Sequence, residues 1–281
     1  MTAKIRKHYV ETDRGLIHVQ EAGTGPKTLA FINITSWGSV LMDTALPLFA
    51  ERGYRALYMD IMGYGRSDKR DDGVWFIESF TDNMEQALAA ADAKPVGIIA
   101  GHMAGLIGIE FGCRAAPGLK GLAIEGTPIH PPEMREANRT KPPAPPTVWS
   151  EDGAHAVHYW KSIYGLIKRL DPAYQLPANP DRKLRQAYIA YLEVGCFEPS
   201  TLFGVAHYDV EKKLGDIAVP TLSMCSDTDW NAQYQPKIMS LLKHGRELRW
   251  TGTSPLHMMS GPDRSTEYVD AIDTFFAPLI G

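Results

Sequence analysis

The sequence has no apolar run long enough to span a bilayer, no block of basic residues, and only three cysteines among its 281 residues. The first absence argues against a membrane-spanning helix. The second, with a net charge of −4, leaves a nucleic-acid or anionic-lipid surface without electrostatic support. Cys113, Cys196 and Cys225 lie far apart and show no metal-ligand spacing, so reduced thiols packed in the core are the expectation. Met1 to Val10 mixes charged and apolar residues and lacks the apolar core of a secretion signal, which makes the cytoplasm the expected location. No internal repeat is evident, no cofactor is expected, and the quaternary state is open, a homodimer included. What is present is a hydrophobic content of 44%, enough for one large core.

Strand-like and helix-like stretches alternate through the first 128 residues. A hairpin is expected from Ile5–Thr12 and Leu16–Ala22, joined at Asp13-Arg14-Gly15. Further β runs follow at Thr28–Asn33, Tyr54–Asp60, Val96–Ala100 and Leu119–Glu125, separated by helical stretches such as Val40–Arg52 and Ile77–Ala91. The alternation implies an α/β protein with a mostly parallel sheet covered by helices on both faces, and such sheets bind ligands at the carboxyl ends of their strands.

A further absence sits at one turn. Gly97 to Leu106 reads as strand, sharp turn and helix, and Gly101-His102-Met103-Ala104-Gly105 has the Gly-x-nucleophile-x-Gly spacing of a nucleophile elbow. Methionine occupies its centre, and a thioether has no proton to surrender to a base. Held at the tip, Met103 should carry a strained backbone.

The order of the neighbouring pieces resembles the α/β-hydrolase superfamily. Asp60-Ile61-Met62-Gly63-Tyr64-Gly65-Arg66-Ser67 looks like that family's Asp-x-x-Gly-x-Gly-x-Ser loop, Ala218 to Asp229 like the late strand and turn that present the acid, and Pro255-Leu256-His257 before a terminal helix like the histidine segment. The resemblance implies an α/β-hydrolase fold with a helical cap insertion. The core would be residues 1–128 and 218–281, and the cap residues 129–217. It implies His257 as a general base oriented by Asp229, with Glu125 at the end of the sixth strand as the rival acid. His102 would pack behind the elbow. The amides of Thr35 and Ala104 would face a developing oxyanion, with Asn33 as an added donor, although Asn33-Ile34 replaces the usual His-Gly. Among other serines, Ser36 in the oxyanion loop is the best substitute nucleophile; Ser67, Ser226 and Ser254 read as turn or capping residues.

From Pro128 to Ile217 the pattern changes. Pro131-Pro132 and the run Lys141 to Pro146 read as stiff extended chain, and helices are expected at Ala154–Leu170, Asp181–Val194 and Pro199–Lys213. Aromatics of this stretch would either line an apolar cavity or pack cap against core. Trp37, Trp160, Tyr164, Tyr191, Phe203 and His207 are the substrate-binding candidates. His155 and His158 share a helix face but have no carboxylate motif beside them, so a metal site is not expected.

Three readings follow. The leading one is an enzyme, hydrolase or lyase in type, acting on a small, largely apolar carbonyl- or hydroxyl-containing molecule through a His-Asp pair without a serine. The others are a non-catalytic ligand-binding relative and a serine hydrolase with a relocated nucleophile.

Overall fold

The computed structural model describes residues 3–33, 38–69, 75–140, 149–170, 172–176, 178–179, 182–194, 204–256 and 264–281. Eight strands form one sheet: β1 (Arg6–Thr12), β2 (Gly15–Ala22), β3 (Lys27–Asn33), β4 (Tyr54–Asp60), β5 (Pro95–Gly101), β6 (Gly121–Glu125), β7 (Thr221–Ser226) and β8 (Gly245–Trp250). Their order is β1-β2-β4-β3-β5-β6-β7-β8. The β1–β2 and β2–β4 pairs are antiparallel and all other neighbours are parallel. The chain leaves β3 toward β4 and returns on its other side at β5, so a switch point opens between β3 and β5. The register sets Asn33 beside both Asp60 and Gly101, and Gly101 beside Glu125, which aligns the chemically interesting residues along one edge.

Nine helices of at least seven residues are described: α1 (Ala45–Glu51), α2 (Ile77–Ala90), α3 (Ala104–Arg114), α4 (Pro132–Thr140), α5 (Ala154–Leu170), α6 (Arg182–Val194), α7 (Val210–Asp216), α8 (Gln235–Leu241) and α9 (Ser265–Ile280). Alternation along the central strands divides the core in two. Leu29, Phe31 and Ile99 face α1 and α9, whereas Ala30, Ile32 and Ile98 face α2, α3, α7 and α8. Helices α5 and α6 have a separate core of Ile163, Ile167, Leu184 and Ala187, joined by Leu41 from the 3-10 turn Gly38–Met42. Within the stretch expected to form the cap, Tyr208, Val210 and Leu214 instead join the core under the sheet.

The sequence reading passed over β8 and α8, and it took Pro132 for extended chain. Pro132 in fact opens α4, where its missing N–H costs nothing because the first helical amides have no intrahelical acceptor. Residues 141–148 lie outside the described residues.

Two glycines in register, Gly97 on β5 and Gly121 on β6, seat the terminal helix. A Cβ on Gly97 would come within 2.4 Å of the Phe276 ring and 2.7 Å of Leu29, and one on Gly121 within 2.9 Å of Leu279 and 3.1 Å of Phe276. Gly97→Ala is therefore expected to destabilise the protein by about 1–3 kcal/mol through overpacking, and by clearly less in a Phe276→Leu background. Equal costs in both backgrounds, read from urea unfolding, would contradict this packing.

Candidate active site

Strand β5 ends at Gly101, helix α3 starts at Ala104, and the corner between them is two residues long. His102 carries the left-handed backbone, with φ +52°, while Met103 is ordinary right-handed helix at φ −65°, ψ −32°. The expected strain at Met103 is thus corrected: the corner turns one residue earlier. The physical reason is packing. Ala100 and Ala104, two positions to either side of His102 in the chain, are both small and buried. Gly105 serves the interior of α3, where a Cβ would come within 2.5 Å of Thr127 Oγ1. Holding a non-glycine residue left-handed costs on the order of 1–3 kcal/mol. The His102 N–H donates to the Glu125 carbonyl (2.7 Å), and its own carbonyl accepts from Gly105 N (2.9 Å).

His102 Nδ1 lies 3.8 Å from Asp229 Oδ2, beyond a hydrogen bond but close enough for a strong charge interaction once the imidazole is protonated. Asp229, buried after β7, is fixed from its other side, because Oδ1 accepts from Asn231 N (2.8 Å) while Asn231 Nδ2 donates to Gly126 O (2.7 Å). Gly126, at φ +54°, makes room for the pair. A Cβ there would sit 2.4 Å from Asp229 Oδ2 and 3.0–3.1 Å from Cε1 and Nδ1 of His102.

Glu125 ends β6 and is 3% exposed, with Oε1 lacking a hydrogen-bond partner among the described residues. Burial pushes its carboxyl up to about 7 and the Asp229 charge adds to the push, against smaller stabilisation by Ser254 and the Trp250 indole. Cys225, also beside these carboxyls, is pushed up to about 12, chiefly by burial, and so is a neutral thiol rather than a nucleophile.

Solved structures share this architecture. The chain is similar to the enol-lactonase from Burkholderia xenovorans LB400, with TM-score 0.76 and 15% identity over 96% of this chain and 100% of that one. It is similar to a hydrolase from Pseudomonas aeruginosa PA01, with TM-score 0.73 and 16% identity over 96% and 98% of the two chains. The proline iminopeptidase from Mycobacterium smegmatis gives 0.70 and 16% over 97% and 98%. The chain has the α/β-hydrolase fold. No family model matches it, and no curated protein matches it in sequence.

In an α/β-hydrolase fold the amide after the elbow tip helps to form the oxyanion hole. The turn at His102 puts the Met103 amide, and not that of Ala104, directly after the turning residue. His257, Thr35, Ser36, Trp37 and Phe203 lie outside the described residues, and Asn33 is described in its backbone only. Trp160 stacks on Tyr164 within α5 (5.8 Å), and Tyr159 meets Tyr191 edge-on (5.9 Å), a contact between α5 and α6. Trp149, ahead of α5, is 77% exposed. His207 packs edge-on against Phe76 (5.6 Å). A cleft of about 530 Å³ does open beneath α6, lined by polar groups that include Gln20, Ser39, Asp60, Lys69 and Glu193. Asp60 itself is structural: Oδ2 accepts from His18 Nδ1 (2.8 Å) and Arg66 N (3.1 Å), while Ser67 Oγ accepts from His18 N (2.9 Å). Among the described residues no three of His, Cys, Asp and Glu converge to hold a metal, and no helix is long and apolar enough to cross a membrane.

Sequence reasoning put the turn at Met103, with His102 packing behind it, because it fitted glycines to the corner. Alanines two residues to either side of the histidine carried the correct register. Glu125 also gives a pH signature. Folded, it holds its proton more tightly than its ordinary value of 4.5, so its stabilising contribution is complete below that value and is lost as pH rises through about 7. Unfolding free energy should fall by on the order of 3 kcal/mol between about pH 4 and about pH 8 from this group, and that component should vanish in Glu125→Gln. An unchanged pH dependence in the variant would contradict the assignment.

Proposed function

We propose that the protein is a hydrolase of the α/β-hydrolase fold in which a histidine–aspartate pair, His102 and Asp229, drives the reaction without a serine nucleophile. The observation that carries this reading is the imidazole at the turning residue of the elbow, with the Asp229 carboxylate 3.8 Å from Nδ1. An imidazole so placed accepts a proton from water as the water adds to a carbonyl, and the nearby carboxylate stabilises the imidazolium that forms. The Met103 amide stands where negative charge would develop on the carbonyl oxygen. His257, assigned to Asp229 from motif order alone, is replaced in this reading by the histidine that the described geometry brings to it.

The substrate we assign is a small, largely apolar molecule with an ester or lactone carbonyl. Structural neighbours named as an enol-lactonase and as an N-acyl homoserine lactone degrading enzyme support that class. The aromatic-rich helices α5 and α6, acting as a cap, would supply the apolar surface. A protein that only bound its ligand would have no use for a strained imidazole facing a fixed carboxylate.

A panel of small lactones and aryl esters tests the reading. His102→Gln should lower turnover of any substrate found by about a hundredfold or more, and Asp229→Asn should also lower it. The native protein should resist fluorophosphonate labelling, which requires an activated serine. Full turnover in His102→Gln, or ligand binding with no turnover across the panel, would overturn the proposal.

A further inference from the structure

We infer that the cleft beneath α6 is a second binding site, apart from the elbow, for a small molecule that carries one carboxylate on a short apolar body. The inference concerns binding and not turnover, so it stands or falls independently of the hydrolase reading.

The cleft encloses about 530 Å³, a volume that suits one small molecule. Its place follows from the register of the sheet. Asn33 pairs with Asp60 on one side and with Gly101 on the other, so Asp60 stands two strand spacings, about 10 Å, from the end of β5. Asp60 lines the cleft, and none of Gly101, His102, Met103 and Asp229 does. The roof is one face of α6, where Gln186, Ile189, Ala190 and Glu193 recur at helical spacing. Strand β1 contributes Tyr9 to the same concavity. Tyr9 and Ile189 are both exposed, and they supply the apolar surface that the body of a ligand would cover.

The polar groups of the cleft divide into those already paired and those left over. Asp43 is paired with Arg182 and lies 3.9 Å from Lys7. Buried Gln20 joins them: with its amide turned to satisfy both ends, its nitrogen donates to Asp43 Oδ1 (3.2 Å) and its oxygen accepts from Lys7 Nζ (3.1 Å). Asp60 accepts from His18 Nδ1 (2.8 Å) and from the Arg66 amide (3.1 Å). Lys69 Nζ donates to Gly65 O (2.6 Å) and Ser67 O (2.8 Å), which occupies two of its three N–H donors and pairs its charge with neutral carbonyls only. Among the described residues neither the exposed Arg66 guanidinium nor the Lys69 ammonium makes an ion pair, and Glu193 acts on Lys69 only through its charge. Two unpaired cations and one carboxylate therefore face the empty volume. A ligand carboxylate fits the planar fork of Arg66 and the third donor of Lys69, while a second negative charge would be set against Glu193.

Calorimetric titration of the full chain tests this, with 3-phenylpropionate as the probe and 3-phenylpropionamide and benzylmalonate as its neutral and doubly charged counterparts. The expected result is one equivalent of 3-phenylpropionate bound, with the amide weaker by about tenfold, the loss expected when a hydrogen-bonded charge is removed. Arg66→Gln and Lys69→Gln should each weaken 3-phenylpropionate by about tenfold and leave the amide unchanged. Glu193→Gln should bring benzylmalonate closer in affinity to 3-phenylpropionate, and His102→Gln should bind 3-phenylpropionate like the native protein. Lys69 braces its own loop, so Arg66→Gln decides the matter if the lysine variant is poorly folded. No binding of 3-phenylpropionate, equal binding of acid and amide, native affinity in Arg66→Gln, or loss of binding in His102→Gln would each overturn the inference.

Discussion

The site depends on one constraint, a backbone that must pass from β5 into α3 within two residues without a glycine at the turning point. His102 takes the left-handed conformation, and its N–H prolongs the β5–β6 ladder to the Glu125 carbonyl while its carbonyl receives Gly105. The corner is thereby tied to two strands and one helix. The left-handed Gly126 across from it leaves space for the ring. Strain of this kind persists only where the surroundings over-determine it, which is why it marks the site rather than a loop.

Electrostatics follow from that geometry. Asp229 lies 3.8 Å from the His102 imidazole and is held by the Asn231 amide, while burial, with the Asp229 charge adding to it, pushes the Glu125 carboxyl up to about 7. Burial beside Asp229 thus opposes a second buried negative charge at Glu125.

Much of the architecture was legible in the sequence. Tyr54–Asp60 and Ala154–Leu170 were read with the bounds they have, because a short buried run between turn residues and a long amphipathic stretch are strong periodic signals. Strand β8 was not, since Gly245–Trp250 is largely exposed and rich in charge, as an edge strand often is. Helix α4 was hidden by Pro132, which reads as a breaker unless it is recognised as a first helical residue. At the corner the error was one residue. The sequence offered two overlapping small-x-x-x-small frames, Ala100 to Ala104 and Gly101 to Gly105, and glycine is the stronger lexical signal. The three-dimensional requirement was small volume, which alanine meets, and Gly105 was needed for Thr127 instead.

The register of the corner can be measured directly by comparing alanine with glycine at two positions. Left-handed backbone favours glycine over alanine, and right-handed helical backbone favours alanine over glycine, each by about 1 kcal/mol. Urea unfolding of His102→Gly, His102→Ala, Met103→Gly and Met103→Ala should show glycine as the more stable replacement at 102 and alanine as the more stable one at 103. Alanine favoured at 102 and glycine at 103 would put the methionine at the tip and contradict the account.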